Sequence, residues 1–157
     1  MNIRKATLKD LPWLVKQYIE YQKEEDKLAS TKVGRMKFDK KSVFHDLRKF
    51  ILKQNKILFV MIDEDKIIGF VAGSFTKNPI QRIKNIGFLD EIYIAPKMRG
   101  KGLSSKLKDE FIKWVKKRKR GAGAISLYVM PRNKIALETY KKWGFEIAYL
   151  NLTKKVN

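Results

Sequence analysis

The most constraining stretch of this sequence runs from Ile86 to Val129, where a strand, a glycine-punctuated turn, an amphipathic helix and a second strand follow one another. Ile86 to Ala95 is rich in residues that favour a pleated surface and stops at Pro96. Leu103, Leu107, Phe111, Trp114 and Val115 then recur on one face of a helix, which reaches a C-terminal stop at Gly121 after Lys116-Lys117-Arg118-Lys119-Arg120. Ala124 to Val129 reads as strand again. Two strands joined through a helix are parallel and connected right-handedly, so the chain is committed to a sheet with a parallel pair.

The flanking segments add antiparallel character. Residues 2–6 read as a short strand, and Thr7-Leu8-Lys9-Asp10 with Pro12 opens a helix whose apolar face is Leu11, Leu14, Val15, Tyr18 and Ile19. Lys16, Gln17, Glu20 and Gln22 fall on its polar side. A basic linker at 27–37 leads to a second helix capped by Asp39, with Val43, Phe44, Leu47, Phe50 and Ile51 inward. Strands at 57–62 and 67–75 form a hairpin through Asp63-Glu64-Asp65-Lys66, and a loop at 77–85 precedes the crossover. After it come a helix from Asn133 to Lys142 and a closing strand from Phe145 to Leu152. The predicted order is βααβββαβαβ in one domain, 1–157: an α/β (α+β) chain with a mixed, mostly antiparallel sheet, a central parallel pair and helices on both faces.

Composition excludes several chemistries. The chain has no cysteine, which removes disulfides, thiolate metal sites and a cysteinyl acyl-enzyme. A single histidine, His45, cannot build a histidine-rich metal site. The N-terminus has no apolar leader and no run approaches the roughly 20 apolar residues needed to span a bilayer, so the expected location is the cytoplasm, with no membrane partner. Thirty-six Lys and Arg against sixteen acidic residues give a net charge of +20, which points to an anionic partner or a heavily solvated surface.

The turn supplies one such partner. In Pro96-Lys97-Met98-Arg99-Gly100-Lys101-Gly102-Leu103-Ser104-Ser105 the glycines allow close backbone approach, and the first helical amides and the helix dipole can converge on a phosphate cluster. Arg99, Lys101 and Lys97 add charge. Other phosphate motifs fit poorly: a Walker loop is absent, Ser105 stands where a dinucleotide fingerprint needs a third glycine or alanine, and basic residues occupy the position of its ribose-binding acid.

Arg99-Gly100-Lys101-Gly102 after a strand ending at Pro96 resembles the coenzyme A-binding motif of the GNAT superfamily of N-acetyltransferases. Leu127-Tyr128-Val129, Asn133, Ala136, Tyr140 and Gly144-Phe145 resemble the same family's downstream pattern, and Ile3-Arg4-Lys5-Ala6-Thr7 with Asp10 and Ile67-Ile68-Gly69-Phe70 extend the likeness along the chain. The match is weakest between Lys27 and Phe38, and Lys97 and Ser104 depart from commoner family residues. The resemblance implies acetyl transfer from acetyl-coenzyme A directly to an amine through a ternary complex, without a metal. It implies pyrophosphate on the backbone from Arg99 and Gly100 to Ser105, the pantetheine arm along Ile92, Tyr93 and Ile94 of a splayed strand pair, and contacts from Asn133 and Ala136. The same main-chain amides of residues 92–94 would stabilise the oxyanion.

Tyr140 matches the family's frequent general acid. A lysine-like amine, with a pKa of about 10.4, must lose a proton before attack. Asp90 and Glu91 are the candidate bases. Strand alternation puts them on opposite faces, and Asp90 aligns with the acid of polyamine-acetylating members. The acceptor class stays open among protein N-termini, lysines, polyamines and small-molecule amines, and the expected assembly is a monomer or homodimer. A basic nucleic-acid-binding module without enzymatic activity is the rival reading of the +20 charge.

Overall fold

The computed structural model describes residues 1–28, 39–77, 83, 85–118 and 122–154. Most of the linker at 27–37, most of the loop at 77–85, and Lys119, Arg120 and Gly121 of the basic run and its stop lie outside the described residues.

Five strands form one sheet in sequential order: β1 (Asn2–Lys5), β2 (Lys56–Asp63), β3 (Lys66–Lys77), β4 (Asn85–Ile94) and β5 (Ala124–Ser126). The first three neighbour pairs are antiparallel, and β4 and β5 are parallel, as the crossover required. Glu64 and Asp65, at φ +46° and +63°, make the two-residue turn between β2 and β3, a geometry whose twist suits a hairpin.

Helices α1 (Leu11–Asp26) and α2 (Lys40–Leu52) cover one face of the sheet, and α3 (Leu103–Lys116) covers the other. Pro12 in the first turn of α1 loses no intrahelical hydrogen bond, and Leu11, Leu14 and Val15 bury against Val60, Phe70 and Ala72. Asp10 welds this helix to β1. Its carboxylate takes both Arg4 guanidinium nitrogens at 2.8 Å and the Thr7 amide at 2.7 Å, and those contacts, Arg4 foremost, hold its pKa down at about 2. Asp39 caps α2 by accepting from the Ser42 amide at 2.9 Å, and Val43 and Leu47 point inward while Phe44 is exposed.

On the opposite face Leu103, Leu107, Phe111 and Val115 of α3 are buried against Phe59, Met61, Val71 and Leu89, with Trp114 packed at the edge of that cluster. The Phe111 ring lies so close to Gly73 that any Cβ there would collide with it. A glycine on β3 therefore sets how deeply α3 sits.

The C-terminal region departs from expectation. β5 ends at Ser126 instead of Val129, α4 runs from Lys134 to Lys142, and residues 145–154 form no strand. Ile147, Tyr149, Leu150 and Leu152 of the segment expected as a closing strand are all exposed, Leu152 at 91%. Alternating apolar residues create a strand only where a neighbouring backbone offers a ladder, and here none is paired with them.

Candidate active site

The turn between β4 and α3 has the shape the sequence suggested. Pro96–Met98 makes a single 3-10 turn, Gly100 and Gly102 adopt φ +79° and +70°, and Gly102 is the N-cap of α3. Those left-handed angles favour glycine. A Cβ at either glycine would meet no atom within 4 Å, so the space on that side of the turn is open. The Ser105 amide donates to the Gly102 carbonyl at 3.2 Å, whereas the amides of Leu103 and Ser104 ahead of it have no acceptor within the helix and face the same way as the positive end of the helix dipole. Leu103 is buried below as an anchor and Lys101 is exposed above. This open, amide-lined cradle fits a pyrophosphate.

Arg99 does not follow the expected part. Its Nε donates to the Ile94 carbonyl at 3.0 Å, its guanidinium lies 3.5 Å from Glu24, and it stands over the Tyr93 ring. It braces the end of β4 against α1 instead of reaching over the turn. Ser104 and Ser105 are half-buried, and the Ser105 hydroxyl accepts from Trp143 Nε1 at 3.0 Å, tying the start of α3 to the end of α4.

The parallel pairing of β4 and β5 ends at Phe88 and Ser126, so beyond it the side of β4 away from β3 carries no ladder through Ile92, Tyr93 and Ile94. The splay therefore exists as backbone geometry. The side chains of these residues do other work: Ile94 packs in the α3-side core, Ile92 borders it, and Tyr93 stacks on Phe70 and donates to Gln17 at 2.9 Å.

Asp90 and Glu91 do not point to opposite faces. Between Ala72 and Gly73 the register of β3 on β4 slips, so that Ala72 pairs with Glu91 and Gly73 with Leu89, leaving Asp90 as the extra residue of a β-bulge. A bulge cancels the alternation at that point. Both carboxylates consequently turn toward the α1 face. Asp90 accepts from Ser74 Oγ at 2.8 Å, and Ser74 belongs to the row of Phe70 and Ala72 that faces α1 and α2. Glu91 accepts from Tyr18 Oη at 3.1 Å and Gln22 Nε2 at 2.9 Å, both on α1.

Around Glu91 a polar cluster spans three elements. Burial pushes its pKa up to about 8, the hydrogen bonds from Tyr18 and Gln22 pull against that rise, and the charges of Asp90 and Glu25 add to it. Burial also raises Asp90, against the Ser74 hydrogen bond. Tyr140, on α4, sits with its ring edge-on to Trp143 and Phe145, and burial, followed by the charges of Glu25 and Glu91, pushes its hydroxyl up to about 12. It stays protonated at any ordinary pH. Asn133 caps α4 by accepting from the Ala136 amide at 3.1 Å and donates to Glu25 at 2.7 Å, which docks α4 on α1. The Ala136 amide is thus committed to the cap.

Tyr18, Gln22 and Glu25 are site residues that the helical pattern missed. Gln22 is only 6% exposed, one turn beyond Tyr18 on the buried stripe. That i, i+4 spacing was the available signal, masked by the residue's polarity. His45 is exposed on α2 and makes no hydrogen bond or ion pair with this cluster among the described residues. Among the described residues no helix is long and apolar enough to cross a membrane.

A glycine turn with helix-head amides after β4, a parallel pair that ends at Phe88 and Ser126, and a polar cluster around Glu91 make up an α/β domain of one class. The family model described as the acetyltransferase (GNAT) family matches residues 14–145, and the chain belongs to that family. It is 30% identical over 148 residues to an uncharacterized N-acetyltransferase of Methanocaldococcus jannaschii, covering 92% of this chain and 60% of that protein, and so spans well under the whole length of that relative. An uncharacterized N-acetyltransferase of Archaeoglobus fulgidus is 30% identical over 122 residues, 76% of this chain and 77% of that one. In fold, a predicted acetyltransferase from Clostridium acetobutylicum, solved with acetyl-CoA, superposes with a TM-score of 0.78 at 22% identity over 97% of this chain and 95% of the other.

Proposed function

We propose that this chain moves an acetyl group from acetyl-coenzyme A directly to an amine, both held at once, with Glu91 as general base and Tyr140 as general acid. Acetyl-coenzyme A would supply the acetyl group as a thioester. Its pyrophosphate fits the amides from Gly100 to Ser104 with Lys101 at the rim, the Ser105 amide being taken by the Gly102 carbonyl, and its pantetheine arm fits the free edge of β4 from Ile92 to Ile94.

The observation that carries the reading is the environment of Glu91. A buried carboxyl with a pKa near 8 is a far better proton acceptor for an ammonium group than an exposed one, and its charge reaches the Tyr140 phenol, which is protonated throughout the working range. In the balanced reaction the ammonium loses a proton to Glu91, the N–C bond forms and the C–S bond breaks, the Tyr140 hydroxyl gives its proton to sulfur, the second nitrogen proton returns to the Tyr140 oxygen, and Glu91 releases its proton to solvent. The absence of cysteine agrees with direct transfer.

Glu91 takes precedence over Asp90 because Tyr140 and Glu91 share one electrostatic field, whereas Asp90 is engaged by Ser74 on β3. Asp90 then acts on Glu91 by raising its proton affinity. Incubation with acetyl-coenzyme A and a panel of amines (N-terminal peptides, lysine peptides, spermidine and aminoglycosides), read by thiol release, tests the activity. Glu91→Gln must abolish turnover on any acceptor found, and a Glu91→Gln enzyme that turns over normally refutes the base assignment.

A further inference from the structure

Glu91 is held asymmetrically. Both of its hydrogen-bond donors, Tyr18 Oη and Gln22 Nε2, are directed at Oε1. Among the described residues no group donates to Oε2, and since every fully buried side-chain polar atom among them has a partner, Oε2 is not fully buried. Tyr18 and Gln22 lie one helical turn apart, so a single rigid face of α1 presents both donors at once.

Resting on the reading of Glu91 as base, we propose that Tyr18 and Gln22 are positioning residues that pin Oε1 and so dedicate Oε2 to taking the proton of the incoming amine. A carboxylate with free rotation would share the proton between two oxygens and lose the alignment on which proton transfer depends. Two donors on one oxygen remove that freedom. They also have a measurable electrostatic consequence, because donors stabilise the ionised form and hold the proton affinity of Glu91 below what burial alone would give.

The charged and titratable groups around Glu91 are Tyr18, Tyr21 and Glu25 from α1, Asp90 from β4 and Tyr140 from α4, with Asp46 of α2 acting on Tyr18. Glu25 and Asp90 oppose ionisation of Glu91, and Tyr18 and Gln22 alone among the contacts named favour it. Burial raises the pH at which Glu91 ionises, and the donor pair brings it part of the way back down.

The test is a carbon-13 NMR titration of protein labelled at glutamate side-chain carboxyls, the Glu91 signal being the one lost in Glu91→Gln. Tyr18→Phe keeps the ring and Gln22→Met keeps the volume, so both should fold, as near-ultraviolet circular dichroism will show. Each is expected to raise the Glu91 midpoint by about one pH unit, the scale of a hydrogen bond to a charged group. Tyr21→Phe, which removes a neighbouring hydroxyl that is not bonded to Glu91, should leave it in place. With an acceptor in hand, the acid limb of kcat/KM should move upward in parallel while KM for acetyl-coenzyme A is unchanged. A Glu91 midpoint unmoved in folded Tyr18→Phe and Gln22→Met protein overturns the proposal. A midpoint that moves in an enzyme whose Glu91→Gln variant still turns over overturns the base assignment and leaves the clamp standing.

Discussion

Replacing Glu91 with glutamine should make this protein more stable at alkaline pH while stopping its chemistry. The folded carboxyl has a pKa of about 8 against the ordinary 4.5, which means that the folded state binds this proton more tightly than the unfolded chain does. A group of that kind contributes its full stability below the unfolded pKa and loses it as pH rises from about 4.5 through about 8. At 1.36 kcal/mol per pH unit the loss by pH 9 is at most about 5 kcal/mol, and about 2 kcal/mol once the site relaxes and admits water. Glutamine keeps an oxygen for the Tyr18 and Gln22 donors and carries no charge. Urea unfolding followed by fluorescence of Trp13, Trp114 and Trp143 should therefore show similar stabilities for Glu91→Gln and wild type at pH 5 and a mutant ahead by about 2–5 kcal/mol at pH 9. Equal differences at the two pH values would mean that Glu91 is not held in an environment that resists its charge, and the argument for it as base would go with it.

Acetyl-coenzyme A should raise the melting temperature of wild type, and Gly100→Glu, which puts a carboxylate into the open cradle at a left-handed backbone position, should abolish that rise; an unchanged shift in folded mutant refutes the seat. Tyr140→Phe should lower kcat by about 100-fold with the melting temperature nearly unchanged, whereas turnover within about threefold of wild type means that another group protonates the thiolate. Gly73→Ala should destabilise by about 2 kcal/mol or more in chemical denaturation, because its Cβ must displace the buried Phe111 ring; a neutral change means that α3 can lift without cost. Asp10→Asn should cost about 1–3 kcal/mol at pH 7, and the deficit should shrink as pH falls through about 2, where the wild-type carboxylate is itself protonated and loses Arg4.

The segments whose meaning is local were legible without the structure. Gly100 and Gly102 announce a turn with close backbone approach, Leu103, Leu107, Phe111 and Val115 announce one buried helical face, and a strand on either side of that helix forces the parallel pair, because each of these follows from backbone sterics and periodicity within a few residues. Tyr140 and Asn133 were found through the family likeness, and the structure gives them neighbours: Asn133 joins α4 to Glu25, and Tyr140 enters the field of Glu91.

What lies across the chain was decided by tertiary contact. The bulge that swings Asp90 and Glu91 to one face arises from the pairing of β3 with β4, and no period-two pattern within β4 contains it. Gln22 reads as a solvent residue until Glu91, 69 positions away, gives its amide a buried partner. Arg99 reads as a charge beside the turn, and only the fold shows it bound to the Ile94 carbonyl and Glu24. Residues 145–152 carry the apolar alternation of a strand yet remain unpaired, because a ladder needs a second backbone in register and a sequence specifies its own side chains only. Sequence determined which segments could turn and coil; the proton affinity of Glu91 came from burial, opposed by donors that only folding brings to it.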